Sequence, residues 1–143
     1  MERRLFRHGF VLIALALVSG FAVPAAKIPR LALSAHTIGV LSGVLLITVG
    51  LVWNRFRLSE RQLSTMYWAW VSSSYANWAT ILIGAIFGTG KMTPVASAGV
   101  VGSPFAEVVV SLALVVVAAL SLVAVGLAVW GMRAGDPQAV PTS

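Results

Sequence analysis

Two histidines and four acidic residues are nearly all the proton-transferring and metal-ligating side chains this chain of 143 residues offers, because it has no cysteine. That excludes disulfides, thiolate metal sites, iron–sulfur clusters and covalent haem attachment. So few groups also leave no Walker motif, zinc-protease motif, paired carboxylates or Ser-His-Asp arrangement. The residue that invites chemistry is His36, in Ser34-Ala35-His36-Thr37-Ile38-Gly39-Val40-Leu41-Ser42-Gly43. It lies about one and a half helical turns inside a long apolar run. An ionisable group at membrane depth is costly, usually faces other helices, and serves as relay, ligand or hydrogen-bond centre. Gly39, Val40 and Gly43 follow at i+3, i+4 and i+7, so two glycines share its face. One reading is a neutral imidazole bonded to a neighbouring helix, with Ala35, Gly39 and Gly43 as a small-xxx-small packing seam. The other is a histidine ligand beside a surface without side chains, which could hold a flat macrocycle, so haem is the cofactor this face admits. His8 begins the first helix at the opposite side, so one chain cannot clamp one iron between both histidines. A single axial ligand leaves an open position.

The second polar cluster is Ser72-Ser73-Ser74-Tyr75-Ala76-Asn77-Trp78-Ala79-Thr80. Ser73, Asn77, Thr80, Gly84 and Gly88 fall along one helical face, which must point inward. An unsatisfied amide at the depth of Asn77 costs several kcal/mol, so it needs a helix partner or a ligand. Tyr75 and Trp78 either fill space between helices or stack on an aromatic ligand. Glu107 is the acid nearest a span interior. Ser103 and Pro104 resemble an N-cap and first helical residue, which puts Glu107 in the first turn, where a carboxylate suits the helix dipole. That structural reading weakens a proton-coupled exporter, which depends on a mid-membrane acid.

The elements that position these residues follow from composition. The chain is 59% hydrophobic and 10% charged, with a mean hydropathy of +0.94, and its charges gather between long apolar runs. This predicts an all-α integral membrane protein, a four-transmembrane-helix bundle with spans at about 9–26, 31–53, 64–87 and 104–132. Residues 1–133 form one transmembrane domain and 134–143 a flexible tail. An N-terminal signal peptide is the competing reading of the first run, but three later spans would still hold the chain in the membrane. Arg3, Arg4, Arg7, Arg55, Arg57, Arg61 and Arg133 fall on one side, against Lys27, Arg30 and Lys91 on the other. Both termini are therefore expected in the cytoplasm, in a multi-pass protein of the cell inner (plasma) membrane. The net charge of +6 is thus a matter of orientation, with no nucleic-acid partner expected. Trp53, Trp68, Trp70 and Trp130 lie near span ends, as headgroup anchors do.

Arg7-His8-Gly9, Ser34-Ala35-His36 and Ser74-Tyr75-Ala76-Asn77-Trp78 together resemble the hydroxylaminobenzene mutase family, over most of the chain to about Gly131. More distantly the chain is similar to styrene oxide isomerase, a four-helix membrane enzyme with b-type haem held between the subunits of a trimer. Ala35-His36 matches that family's iron-ligating histidine. Ser42, Ser73 and Ile81 stand where it has an asparagine, an acid and a tyrosine, which argues against epoxide isomerisation. The resemblance implies an isomerase that converts hydroxylaminobenzene mainly to 2-aminophenol, with no net exchange of electrons. It also implies non-covalent ferric haem b as Lewis acid, with His36 as axial ligand and Gly39 and Gly43 against the macrocycle. Asn77, Ser73, Thr80 and Ser42 would line the pocket, and the partners would be a small aromatic hydroxylamine, membrane lipid and further copies of the chain, a trimer by analogy. The competing functions are a haem-binding electron-transfer or sensor protein and a small exporter or structural membrane subunit.

Overall fold

The computed structural model describes residues 1–133; the expected tail from Ala134 lies outside them. Four long helices and one single-turn helix make up the described chain: α1 Glu2–Gly20, α2 Pro29–Leu51, α3 Glu60–Phe87, α4 Pro94–Ser97 and α5 Pro104–Gly131. Their ends are set by local chemistry. Ser59 opens α3 through a capping box, accepting from the Gln62 amide while its own amide donates to Gln62 Oε1 at 2.9 Å. Gly88 closes α3 at φ 78°, a left-handed conformation that glycine adopts without cost, and the amides of Gly88 and Thr89 both reach the Gly84 carbonyl at 2.9 Å. Pro29 occupies the first turn of α2, and the Ile28 amide just before it donates to the Ala85 carbonyl at 3.1 Å, pinning the start of α2 to the end of α3. Ser103 caps α5 with Pro104 behind it, as its sequence suggests.

The helices pack in chain order. α1 lies along α2, α2 along α3 and α3 along α5, while α1 only grazes α3. The α1–α2 seam is backbone against backbone: a Cβ added at Gly43 would lie 2.6 Å from the Gly9 carbonyl oxygen, and one at Gly9 would lie 2.6 Å from that of Gly43. Phe6 packs at Gly50, Ala16 at Gly39 and His36 at Gly20, so the two helices run antiparallel in a fixed register. Close packing of this kind is what small residues permit where no water drives helices together. Two apolar clusters hold the ends of the array. Leu5, Leu12, Leu46, Met66 and Tyr67 fill one, and Ile28, Leu31, Ala35, Ile81 and Ala85 fill the other.

Among the described residues two helices, α2 and α5, are long and apolar enough to cross a membrane. The 28 residues of α5 extend about 42 Å, beyond the ~30 Å of a hydrocarbon core. Its Phe105, Leu112, Leu122 and Val129 are exposed, as are Phe10, Leu17 and Val18 of α1 and Leu33 and Leu41 of α2. An outer surface so apolar suits lipid and not water.

Two expectations are corrected. The first span, read as 9–26, ends as a helix at Gly20; a 3₁₀ turn at Val23–Ala25 follows. The ring of Pro24 supplies no amide to continue an α-helical ladder, so the apolar residues there belong to a connection. Trp53 and Trp70 are buried in the core, Trp53 meeting Phe56 and Tyr67 edge-on at 6.0 and 6.3 Å. Only Trp68 and Trp130 of the four expected anchors present their rings outward.

Candidate functional site at the His36 imidazole

The glycine seam brings the C-terminal half of α1 against His36. The ring's Nδ1 lies 2.8 Å from the Ala16 carbonyl oxygen, and a Cβ at Gly20 would come within 3.1 Å of the same nitrogen. A carbonyl only accepts, so Nδ1 carries the hydrogen, and the tautomer this bond selects has its lone pair on Nε2. The Ala16 carbonyl also accepts from Ser19 Oγ at 2.7 Å. Ser19 Oγ in turn receives Trp78 Nε1–H at 3.4 Å. One network thus joins α1, α2 and α3 and holds the imidazole by its backbone-facing edge. Metal-ligating histidines are oriented by the same kind of bond, with one nitrogen donating to a carbonyl and the other left to ligate.

The remaining expected site residues divide. Gly39 and Gly43 do not offer a bare face within one chain. A Cβ at Gly39 would sit 2.6 Å from both Ala16 Cβ and Trp78 Cδ1, and one at Gly43 would sit 2.5 Å from Ile13 Cγ1. The glycines are there because α1 and Trp78 occupy their space; the packing seam is what they form. Ser42 is half-buried on α2, a turn and a half beyond His36. Asn77 is half-buried on α3 and has no side-chain hydrogen-bond partner among the described residues. Ser73 is buried with its hydroxyl donated to the Trp70 carbonyl of its own helix at 3.2 Å. Thr80 and Gly84 turn toward α5, lining a small cavity with Leu31, Thr89, Glu107 and Val110. The outer half of the polar stripe therefore faces α5 and stands apart from the His36 network.

Glu107 is buried and committed. Its carboxylate accepts the amides of Gly90 at 2.8 Å, Gly102 at 2.9 Å and Lys91 at 3.1 Å. Three backbone donors satisfy the charge and close the loop between α3 and α5, which is the structural role its place in the first turn implies. Ser19 escaped sequence reasoning, because a lone serine near a helix end carries no signal until the fold sets it between Ala16 and Trp78. Trp78, read as space-filling or stacking, is a donor in that network.

Among the described residues no group of three or more His, Cys, Asp or Glu could hold a metal ion. A macrocycle that brings its own four ring nitrogens asks the protein for one axial donor, and the oriented Nε2 of His36 fits that requirement. The filled glycine seam leaves the outer surface of α2 as the face available to such a group.

With this geometry in view, comparisons with known proteins point one way. The family model described as SOI: Styrene oxide isomerase matches residues 1–133. Hydroxylaminobenzene mutase HabB of Ectopseudomonas oleovorans is 35% identical over 134 residues, covering 93% of this chain and 82% of that protein. Hydroxylaminobenzene mutase HabA of the same organism is 36% identical over 112 residues, covering 78% of this chain and 83% of that protein. No solved structure gives a significant match. Fold and relatives together define an all-helical enzyme of the isomerase class. The chain belongs to the styrene oxide isomerase family.

Proposed function

We propose that the protein is a multi-pass plasma-membrane isomerase that converts hydroxylaminobenzene to 2-aminophenol, as the names of its two mutase relatives suggest. Substrate and product are isomers. The N–O bond breaks, a C–O bond forms at the ortho carbon, that carbon loses its proton and nitrogen gains one, so no electrons enter or leave. The observation that carries the site is the Nδ1–H of His36 bound to the Ala16 carbonyl at 2.8 Å, which frees Nε2. Haem b held at that nitrogen would supply a Lewis-acidic iron.

The chain's own residues do the rest. The network of Ala16, Ser19 and Trp78 holds the imidazole in one orientation. Asn77, whose carboxamide has no side-chain partner among the described residues, and Ser42 are the polar groups that would orient the amino group or the migrating oxygen. Ser73, bonded within α3, and Thr80, which faces α5, are set aside from direct contact with the substrate. Apolar helices exclude water, so charge that develops on the arene meets fixed dipoles. With Gly39 and Gly43 filled, such a group would be held at the outer surface of α2 and would need further chains to cover it, which favours a homo-oligomer, a trimer by analogy with the isomerase. Arg30 lines a groove of about 390 Å³ with Ser34 and Thr37 on that surface, and its guanidinium suits the propionates.

The cationic bias of Arg3, Arg4, Arg7, Arg55, Arg57, Arg61 and Arg133 favours four spans with both termini in the cytoplasm. An exporter is disfavoured because Glu107, the acid nearest a span interior, is held by three amides. The test is a spectrum and an assay on detergent-purified protein. A Soret band, conversion of hydroxylaminobenzene without added reductant, and loss of both in His36→Ala are expected. Colourless, active protein removes haem from the reading; a Soret band with reversible redox cycling and no conversion would replace the isomerase with an electron carrier or sensor.

A further inference from the structure

We infer that the groove between the N-terminal turns of α1 and the facing part of α3 binds the phosphate of an anionic phospholipid. Arg4, Arg7, His8 and Val11 line it from α1, and Tyr67, Trp68 and Tyr75 from α3, enclosing about 550 Å³. On α1 these residues follow i, i+3, i+4, i+7, so two guanidiniums, an imidazole and an apolar side chain share one stripe. The groove exists because α1 and α3 meet only lightly.

Its polar wall is preorganised. Tyr75 O–H donates to the His8 carbonyl at 3.2 Å, which spends the phenol's hydrogen. The contact between His8 Nδ1 and the Tyr75 oxygen at 3.3 Å is therefore donated by Nδ1–H. Edge-on packing at 5.7 Å to Tyr75 and 6.2 Å to Tyr67 fixes the ring further. Arg4 and Arg7 are exposed and free to close on an anion. No carboxylate among the described residues lines the groove, and Glu2, close by in sequence, is hydrogen-bonded by Asn54 at 3.2 Å. Paired guanidiniums favour phosphate through bidentate hydrogen bonds.

The apolar end selects an amphiphile. Exposed Val11 continues the stripe beyond the arginines, exposed Leu15 follows four residues on, and exposed Trp68 lines the groove from α3. A free anion uses only the polar end; a phospholipid uses both, with its phosphate at the cationic rim and an acyl chain along the helices. The inference rests on the membrane placement proposed above and is independent of the chemistry at His36.

The test titrates the full-length protein in detergent with phosphatidylglycerol, phosphatidylcholine or inorganic phosphate, followed by native mass spectrometry. One phosphatidylglycerol per chain should bind, preferred over phosphatidylcholine by roughly tenfold or more, since each interfacial arginine contributes about fivefold. Arg4→Gln/Arg7→Gln should lose the preference, and His36→Ala should keep it while losing activity, which separates failure here from failure of the catalytic reading. Both arginines are exposed, so the double variant should fold, with helical circular dichroism as control; Val11→Glu, which sets a carboxylate among them, carries the same expectation. Equal binding of the two lipids, a preference that survives the double variant, or equally tight binding of inorganic phosphate overturns the proposal.

Discussion

The two histidines of this protein are held by the same nitrogen and face different worlds. His36 donates Nδ1–H to a backbone carbonyl of α1 at 2.8 Å, amid glycines and apolar side chains. His8 donates to a phenol, Tyr75, at 3.3 Å, beside Arg4 and Arg7. In the first case the partner cannot titrate or rotate, so the ring has one tautomer and one direction. In the second the partner is a side chain and the neighbours are cations, an arrangement suited to recognising an anion. A histidine becomes a ligand candidate through what fixes its other nitrogen, more than through its depth alone.

His36→Ala sharpens this contrast most. On the proposed reading, in which His36 is the axial donor, it should lower the rate of hydroxylaminobenzene conversion by roughly 100-fold or more, beyond the 10- to 100-fold of a lost supporting bond. His8→Ala should leave the rate within about threefold. Comparable losses in the two variants would show that both ends of the α1–α3 region take part in the reaction.

The next effect is on stability at the seam that orients His36. Gly43→Leu forces a side chain into the space of Ile13 and the Gly9 backbone, and overpacking of this kind costs about 1–3 kcal/mol. The expected result is a lower thermal midpoint in detergent, with activity falling in step as Ala16 is pushed away from the imidazole. An unchanged midpoint would mean that α1 is not locked to α2. Glu107→Gln should lower the midpoint by less, because the amide retains one acceptor oxygen but leaves a backbone N–H of the α3–α5 loop facing an NH₂ group. Turnover should be unchanged; a variant that abolished turnover at full stability would return Glu107 to the chemistry. Tyr75→Phe is the mildest, about 0.5–1.5 kcal/mol for the hydrogen bonds lost. It frees His8 without touching His36, so the thermal midpoint should move slightly and the rate should not.

Much of the frame was legible before folding. Apolar runs broken by Arg-bearing loops marked the long helices because backbone groups in lipid must be satisfied within the segment. Ser103, Pro104 and the position of Glu107 announced the start of α5 through capping rules that are local in sequence. Hydropathy alone did not mark the end of α1: Phe21 to Ala26 is apolar whether it continues a helix or forms a turn, and Pro24 was the local sign of the break. Nor did it mark the inward face of α3. Ser73, Asn77, Thr80 and Gly84 form a stripe by their spacing, but a stripe says only that residues share a direction, and its outer half, Thr80 and Gly84, faces α5.

The sequence by itself determined which groups were available: one deep histidine, one uncharged polar stripe, small residues spaced for close approach, and no thiol. These are matters of residue type and of periods of three or four, which a helix of any tertiary fate obeys. Only the tertiary structure decided that Ala16, 20 residues from His36, supplies its acceptor, and that Ser19 and Trp78, 59 residues apart, complete the network. Those pairings depend on the register of antiparallel helices at a glycine seam, which is set by packing between segments and leaves no trace in either segment alone.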